Sequence, residues 1–379
     1  MRPAIPNRFH FYPRTSANRQ PTPWWYYGRA VYVSRRDYFK IYCALMLVLG
    51  IPMAFVGLYF DWTFFKVAAL GGGTVSLFYL GYSLLGLYRM YGHPGKSYVQ
   101  QLLKKSRVGS PTVVADLHIG TYRHAYVLSE LLPDATIHSI DCWGADAEPH
   151  EIAIRDVRDL ESIPQHHSRI HPMKADQYRL PLNDESCDVV VMGFGTHEIP
   201  KNGPLELLFT EARRVLKPGG KLLMFEHGND FHNVIIFGPV IGHVVPRYEW
   251  AERFQKQFGD VGYHRTSQAV DLFWGTKSEV VGTNATVLPK PASRRTIWIF
   301  VVIAAFTLIS LGVVAFLPTA QLIPIYWLIA ISGLTWPWLA IALALIGERM
   351  THASMITSSP EISIPHADTH SSEPIAPSI

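Results

Sequence analysis

The chain has 379 residues, of which 48% are hydrophobic and only 17% charged, and its formal net charge is +4. Soluble domains usually carry roughly 25% charged residues, so the composition argues against a protein that is water-exposed on all sides. Its three cysteines, Cys43, Cys142 and Cys187, have no paired spacing, which argues against a disulfide framework or a zinc site and favours a reducing compartment.

Residues 1–40 form a basic, aromatic arm. They hold eight Lys and Arg residues against one acid, Asp37. A basic arm of this kind suits either nucleic acid or an anionic membrane surface, and the apolar span directly after it favours the membrane. We therefore expect a lipid bilayer as a partner, and no nucleic acid.

Uncharged segments of membrane-spanning length lie on both sides of the central part of the chain. The first two are Ile41–Phe60 and Val67–Tyr88, and Thr296–Gly347 adds 52 residues without a charge, interrupted near Pro318. Crossing a hydrocarbon core of about 30 Å takes roughly 20 helical residues. The sequence thus predicts two transmembrane α-helical hairpins, at 41–90 and 296–347, with spans at about 297–317 and 323–346 in the second. Buried core helices of a soluble protein are the alternative.

The placement of Lys and Arg predicts the topology of these hairpins. The basic arm precedes the first span, Arg89 and Lys96 follow the second, Arg294 and Arg295 precede the third, and Arg349 follows the fourth. The positive-inside rule then places both termini and the middle domain in the cytosol. Small residues at 71–73 are compatible with a homo-oligomer formed through the spans, and the tail at 348–379 has the composition of a disordered segment.

The middle domain, residues 91–290, alternates strand and helix patterns. This order predicts a doubly wound, Rossmann-like α/β fold, a mostly parallel seven-stranded sheet with an antiparallel edge. Strands are expected at Val113–Leu117, Thr136–Ile140, Arg169–Met173, Cys187–Met192, Lys221–Glu226, Gly262–Thr266 and Ala269–Trp274, and helices at Tyr122–Leu132, Pro204–Leu216 and Arg247–Phe258.

Three acidic residues follow successive strands, at the edge where such sheets bind ligands. Asp116 closes the first strand, Asp141 closes the second, and Asp176 follows the third. A carboxylate at the second position can accept hydrogen bonds from both hydroxyls of a ribose. Each acid alone is equally compatible with a turn or cap, but their order indicates a nucleoside cofactor.

Two longer motifs accompany these acids: DQYRLPLNDESCD, from Asp176 to Asp188, and EARRVLKPGGKLLMFEHG, from Glu211 to Gly228. With them, residues 111–277 resemble the class I S-adenosylmethionine (SAM) methyltransferases, in style closest to the group that methylates quinones and other lipophilic acceptors. The resemblance implies SAM as cofactor. It also implies that Asp141 binds the ribose, that Asp176 with Gln177 binds the adenine, and that Gly120 with Thr121 approaches the methionine part. The full predicted cofactor-binding set is Asp116, His118, Gly120, Thr121, Asp141, Cys142, Asp176, Gln177 and Gly193.

The sequence departs from the family pattern in the loop after the first strand. The family has roughly D-x-G-x-G-x-G, whereas this chain has DLHIGTY, in which only Gly120 remains and His118 and Tyr122 replace the other two glycines. Their side chains either leave room for SAM or narrow or block its pocket. A nicotinamide enzyme would need G-x-G-x-x-G at this point, and a P-loop G-x-x-x-x-G-K-[ST], and neither is present.

Methyl transfer depends mostly on alignment, and it needs a base only when the acceptor must lose a proton. The candidates that follow strands four and five are His197, Glu198 and His227, which we predict to be catalytic. The alternatives are hydrogen-bonding loop histidines and, for Glu198, a helix cap. No histidine pair has metal-ligand spacing on a predicted helix, so no metal is expected.

These observations predict an integral-membrane SAM-dependent methyltransferase for a lipophilic small molecule, such as a quinone, an isoprenoid or a lipid, at the cytosolic membrane face. The reason is access, because an acceptor dissolved in the bilayer is reached best by an enzyme held at the membrane surface. A non-catalytic, methyltransferase-like membrane scaffold is the first alternative. A membrane-tethered methyltransferase for proteins or peptides is the second.

Overall fold

The computed structural model describes residues 51–61, 63–92, 96–142, 163–175, 179–201, 203–228, 230–237, 241 and 244–281, together with isolated positions between 27 and 48 and between 298 and 305. Its helices are α1 (Ile51–Tyr59), α2 (Thr63–Tyr91), α3 (Lys96–Lys105), α4 (Arg123–Leu131), α5 (Pro204–Val215), α6 (Phe231–Phe237) and α7 (Arg247–Gln257). Its strands are β1 (Val113–His118), β2 (Thr136–Asp141), β3 (Ile170–Lys174), β4 (Cys187–Gly193), β5 (Leu216–His227), β6 (Gly259–Arg265) and β7 (Val270–Thr276).

The strands form one seven-stranded sheet in the order β3-β2-β1-β4-β5-β7-β6. The first five are parallel, and β7 runs antiparallel to both β5 and β6. This confirms the predicted Rossmann-like α/β sheet with its antiparallel edge. The strand order reverses between β1 and β4, so their carboxyl ends open the crevice in which this architecture binds ligands.

Apolar clusters cover both faces of the sheet, as the unbroken hydrophobic run in β4 predicts. Val190 and Met192 belong to the cluster formed with α5 and α7. Their neighbours Val189 and Val191 belong to the opposite cluster, formed with the end of α2, α3 and α4. The second cluster matters for function because it joins the helix α2 to the sheet.

The start of β5 differs from the prediction. The sequence predicts a helix to Leu216, a turn at Pro218–Gly220 and a strand from Lys221, but β5 already begins at Leu216. The turn residues are a bulge within the strand, since the pairing with β4 passes from Cys187↔Leu216 directly to Val189↔Lys221. Backbone bonds to Lys277 at the end of β7 hold the bulge in the sheet, from Gly219 N to Lys277 O (2.9 Å) and from Lys277 N to Gly220 O (2.8 Å).

Helices α1 and α2 cover part of the first predicted membrane hairpin. The second predicted span, Val67–Tyr88, lies within α2, and α1 covers residues 51–59 of the first. None of the helices in the described part of the chain combines the length and the apolarity needed to cross a membrane. Apart from isolated positions, the arm at 1–40, the spans at 297–317 and 323–346 and the tail at 348–379 lie outside the described residues.

Asp188, in β4, ties the amino ends of β4 and β1 together. Its carboxylate accepts hydrogen bonds from the backbone N–H groups of Thr112 and Val113 (both 2.9 Å), from the Thr112 hydroxyl and from Lys217 Nζ (2.6 Å). Partial burial opposes ionisation, but these bonds outweigh it and lower the pKa of Asp188 from 3.8 to about 2.

We expect Asp188→Asn to lower the free energy of unfolding by about 1 kcal/mol at pH 7, a value discounted for solvent screening. Because the folded pKa is depressed, the contribution is present above pH 3.8 and is lost as the pH falls towards 2. Urea unfolding at pH 7 and pH 3 tests this, with Asp134→Asn in an exposed turn as the control. A difference between Asp188→Asn and wild type that does not shrink at pH 3 would contradict the assignment.

Candidate active site at the carboxyl edge of the sheet

The altered glycine loop follows β1, and its His118 side chain turns into the protein. His118 is 2% exposed. Its Nδ1 accepts a hydrogen bond from the backbone N–H of Gly120 (2.8 Å), so Nε2 carries the proton of the neutral ring and faces Ser139 Oγ at 3.0 Å. Ser139 in turn donates to Asp116 Oδ2 (3.3 Å). The imidazole therefore locks the loop onto β2.

Tyr122, the second glycine replacement, packs beside it. The rings of His118 and Tyr122 meet edge to face, with their centroids 4.5 Å apart, and Tyr122 belongs to the apolar cluster with α3 and α4. Gly120, the retained glycine, has φ +101°, a conformation that side chains rarely adopt. Both replacements are thus packed against protein, and the one position that needs glycine still has it.

Buried polar atoms around this loop fit the polar amino-acid end of SAM. Among the described residues, the hydroxyl of Thr121 and both ring nitrogens of His124 are buried without a hydrogen-bond partner. Burial, aided by the charge of Arg123, lowers the pKa of His124 well below its ordinary value, so the His124 ring is neutral. Buried polar groups are nearly always hydrogen-bonded, so these orphaned atoms suit a polar ligand.

The other predicted cofactor residues take the expected places where the structure describes them. Asp116 and Asp141 are buried near the carboxyl ends of adjacent strands, and the backbones of His118 and Asp141 pair directly. Cys142 follows Asp141, and its N–H donates to His118 O at 2.8 Å. Gly193 ends β4 against the ring of Phe225, which a Cβ would approach to 2.1 Å, so packing alone already requires glycine there. Asp176 and Gln177 lie outside the described residues.

A buried ion pair joins the ends of β4 and β5. His197, in a 3₁₀ turn at Thr196–Glu198, places Nδ1 2.8 Å from Glu226 Oε2 and Nε2 3.2 Å from Glu198 Oε1. The Glu226 carboxylate also accepts the backbone N–H groups of Gly195 (3.2 Å), His197 (3.3 Å) and His227 (3.2 Å). One carboxylate thus fixes both loops.

The electrostatics of this pair define its charge state. Burial opposes ionisation of His197, but the charges and hydrogen bonds of Glu226 and Glu198 prevail and raise its pKa from 6.5 to about 10. Burial likewise opposes ionisation of Glu226, yet the His197 cation holds the pKa of Glu226 below its usual value. At neutral pH His197 already carries the proton that a general base would have to accept, so the pair suits positioning and charge stabilisation.

An aromatic cluster surrounds His227, which ends β5. The ring of Phe194 stacks on His227 with the centroids 4.3 Å apart and the planes 8° apart, and Phe237 of α6 lies 4.8 Å away. The hydroxyl of Tyr91, the last residue of α2, hydrogen-bonds His227 Nε2 at 2.8 Å. We call these four residues the aromatic site.

Sequence reasoning found His227 and missed its partners. Tyr91 lies 136 positions away in the chain, three residues past the end of the predicted span Val67–Tyr88. Phe194 and Glu226 lie within strands four and five or next to them, where burial explains them without a site. The one available signal was local: GFGTHE at the end of β4 and FEHG at the end of β5 both have an aromatic residue and an acid near a histidine.

The described residues bring together polar groups suited to a cofactor, a buried ion pair and the aromatic site at one edge of the sheet. No group of three His, Cys, Asp or Glu side chains in the described ranges has the geometry to hold a metal ion. Bound SAM supplies an electrophilic methyl group. The chain's own groups then have to align an acceptor and, where it is a hydroxyl compound, take its proton.

Comparisons with known proteins agree with this geometry. Residues 120–224 match the family model described as a methyltransferase domain. The demethylmenaquinone methyltransferase of Staphylococcus saprophyticus is 26% identical over 182 residues, which cover 44% of this chain and 71% of that protein. That of Alkalihalophilus pseudofirmus is 25% identical over 193 residues, covering 45% and 78%. The ubiquinone/menaquinone biosynthesis C-methyltransferase UbiE of Syntrophotalea carbinolica is 32% identical over 81 residues, covering 21% and 33%.

A solved SAM-dependent methyltransferase from Aquifex aeolicus aligns with a TM-score of 0.36 and 17% identity, over 47% of this chain and 88% of that one. The sheet order and the family match define the middle of the chain as a class I SAM-dependent methyltransferase domain. The chain is accordingly a methyltransferase, and its cofactor is SAM. Its curated relatives at low identity include quinone-biosynthesis methyltransferases.

Proposed function

We propose that this protein transfers the methyl group of SAM to a lipophilic quinol-type acceptor, and that it works at the cytosolic surface of a membrane. One observation carries the proposal: the helix that brings Tyr91 into the aromatic site is the same helix that exposes an apolar surface. Flat aromatic walls and a hydroxyl match a hydroxylated ring, while the apolar helix matches a hydrophobic tail.

Helix α2 has two different faces between its middle and its carboxyl end. One face docks on the domain: Ser83 Oγ donates to Ile236 O at 2.7 Å, and a Cβ at Gly86 would lie 2.3 Å from Ile236. The other face leaves Leu77 67% and Phe78 75% exposed. On the neighbouring α1, Phe55 and Leu58 are exposed by 62% and 72%.

Contiguous apolar surface of this kind marks a membrane, a partner or a ligand route. The basic composition of the arm at 1–40 favours an anionic bilayer as the surface that α1 and α2 contact. The names of the relatives, demethylmenaquinone methyltransferase and ubiquinone/menaquinone biosynthesis C-methyltransferase, support a quinone-related acceptor.

Methyl incorporation tests the proposal. The full-length protein would be reconstituted in vesicles containing anionic lipid and supplied with SAM carrying a tritiated methyl group. Reduced naphthoquinols and benzoquinols would be offered with and without a polyprenyl tail. We expect transfer to a tailed quinol at least about tenfold above its tail-free counterpart, because burying even two methylene groups contributes about 1.6 kcal/mol.

Equal rates with both acceptors would remove the argument for a lipophilic substrate. SAM binding without transfer to any quinol would favour the non-catalytic scaffold, and transfer to protein bands instead would favour the protein methyltransferase.

A further inference from the structure

We propose that Tyr91 and His227 form a proton-accepting pair, in which the Tyr91 hydroxyl contacts the acceptor's hydroxyl and relays its proton to His227. This inference rests on the proposed function and adds to it a catalytic residue, Tyr91. It assigns proton transfer to the end of α2, and it restricts the acceptor to compounds that must lose a proton on methylation.

The geometry of the pair favours a relay. Tyr91 Oη and His227 Nε2 are 2.8 Å apart, a normal hydrogen-bond distance. His227 is 6% exposed, with Phe194 stacked on its ring, whereas Tyr91 is only half-buried. The imidazole is thus the inner member of the pair and the hydroxyl is the outer one, so an acceptor meets Tyr91 first.

The two neighbouring histidines, His197 and His118, have other partners. His197 has carboxylate oxygens within 3.2 Å of both ring nitrogens and retains its proton at neutral pH. The two nitrogens of His118 face Gly120 N–H and the Ser139 hydroxyl, which fixes the loop after β1. His227 differs from both because a half-buried hydroxyl, which a substrate can reach, lies at its Nε2.

The proton balance follows from these positions. The acceptor's O–H proton passes to Tyr91 Oη while the Tyr91 proton passes to His227 Nε2, leaving Tyr91 neutral and His227 protonated. The acceptor's electron pair forms the bond to the methyl carbon as the methyl–sulfur bond breaks and its electrons stay on sulfur. If oxygen is methylated, His227 finally releases this one proton to solvent. If a ring carbon is methylated, the C–H proton is lost on rearomatisation while the oxygen regains one, so one proton again leaves.

The position of Tyr91 on α2 also explains how the hydroxyl and the apolar surface work together. From the exposed Leu77 to Tyr91 the helix runs 14 residues, about 21 Å at 1.5 Å per residue. An acceptor whose hydroxylated ring lies in the aromatic site can therefore extend an apolar tail along the exposed face of α2.

The test is Tyr91→Phe in the full-length protein, with Tyr82→Phe, about two and a half turns earlier on the same helix, as the matched control. We expect kcat to fall about 100-fold in Tyr91→Phe, in the range for loss of general base catalysis, with SAM affinity by calorimetry within twofold of wild type. Tyr82→Phe should retain wild-type kcat. His227→Gln, which keeps a hydrogen-bonding side chain but takes no proton, should lose as much as Tyr91→Phe.

Acceptor acidity separates a catalytic role from a structural one. Fluorinated quinols, which ionise unaided at lower pH, should recover most of the lost rate in both variants. Wild-type turnover with an undiminished Tyr91→Phe rate, or an equal deficit with acidic and ordinary quinols, would overturn the inference while leaving the proposed function intact. A wild-type enzyme that methylates no hydroxylated acceptor would overturn both.

Discussion

Replacing Asp141 with alanine is expected to weaken SAM binding by at least about 100-fold, a loss of roughly 3 kcal/mol. Asp141 ends β2 beside the loop that holds Gly120, where a carboxylate can accept both hydroxyls of a ribose. Hydrogen bonds to a charged group contribute about 1.5–3 kcal/mol each, and alanine would remove two of them.

Isothermal titration calorimetry with SAM measures this effect directly. Asp134→Ala is the matched control, because Asp134 is an exposed acid in the turn before β2, at the opposite edge of the sheet. The control should bind as wild type does. Unchanged binding by Asp141→Ala would mean that the cofactor's ribose is held elsewhere. Absent binding by a folded wild type would mean that the altered glycine loop excludes SAM.

The sequence predicted the position of those site residues that lie at the ends of strands. Asp116 and Asp141 follow apolar runs of strand length, and parallel strands bring their carboxyl ends to one edge. Their neighbourhood therefore follows from the fold class alone. The same reasoning predicted that His197 and His227 lie at the ends of β4 and β5. In the structure the centroids of the two imidazole rings are 5.8 Å apart.

The role of His118 could not be predicted in this way. From the sequence, a histidine in place of a glycine is compatible with an open or a blocked pocket. The direction of its side chain depends on Ser139 of β2, which offers a hydroxyl 3.0 Å from Nε2. A serine inside an apolar strand does not indicate by itself that it will hydrogen-bond a histidine of another strand. The contact between Ser139 and His118 follows only from the pairing of β1 with β2.

Tyr91 was missed because no sequence pattern marks it. The uncharged run Val67–Tyr88 predicts a membrane span, and Tyr91 lies three residues past its end, at the start of the predicted middle domain. The actual contact, Tyr91 to His227, joins residues 136 positions apart through the packing of α2 against α6. No local pattern encodes such a contact.

Glu226→Ala should be the most destabilising of the substitutions considered, at about 3–5 kcal/mol in the free energy of unfolding, because it leaves a charge buried without its main partner. His197 would keep only Glu198 at 3.2 Å, and the N–H groups of Gly195 and His227 would lose their acceptor. Glu252→Ala, on the exposed side of α7, is the control and should change stability by less than about 0.5 kcal/mol. Urea unfolding at pH 7 measures both.

The pH dependence of stability gives this ion pair its own signature. The folded pKa of His197 is raised from 6.5 to about 10, so the pair's contribution is complete below pH 6.5 and is lost as the pH rises towards 10. Wild-type stability should therefore fall between pH 6.5 and 10. Glu226→Gln should flatten that fall, because the carboxylate of Glu226 raises the pKa of His197 more than that of Glu198 does, and the neutral amide removes it. The lowered pKa of Glu226 acts in the acidic range, adding stability above pH 4.5 that disappears on acidification.

A wild-type profile that stays level from pH 6.5 to 9.5 would show that His197 is neutral. The imidazole would then be available as a base, and His197 would compete with His227 for the role that the hydrogen bond to Tyr91 assigns to His227.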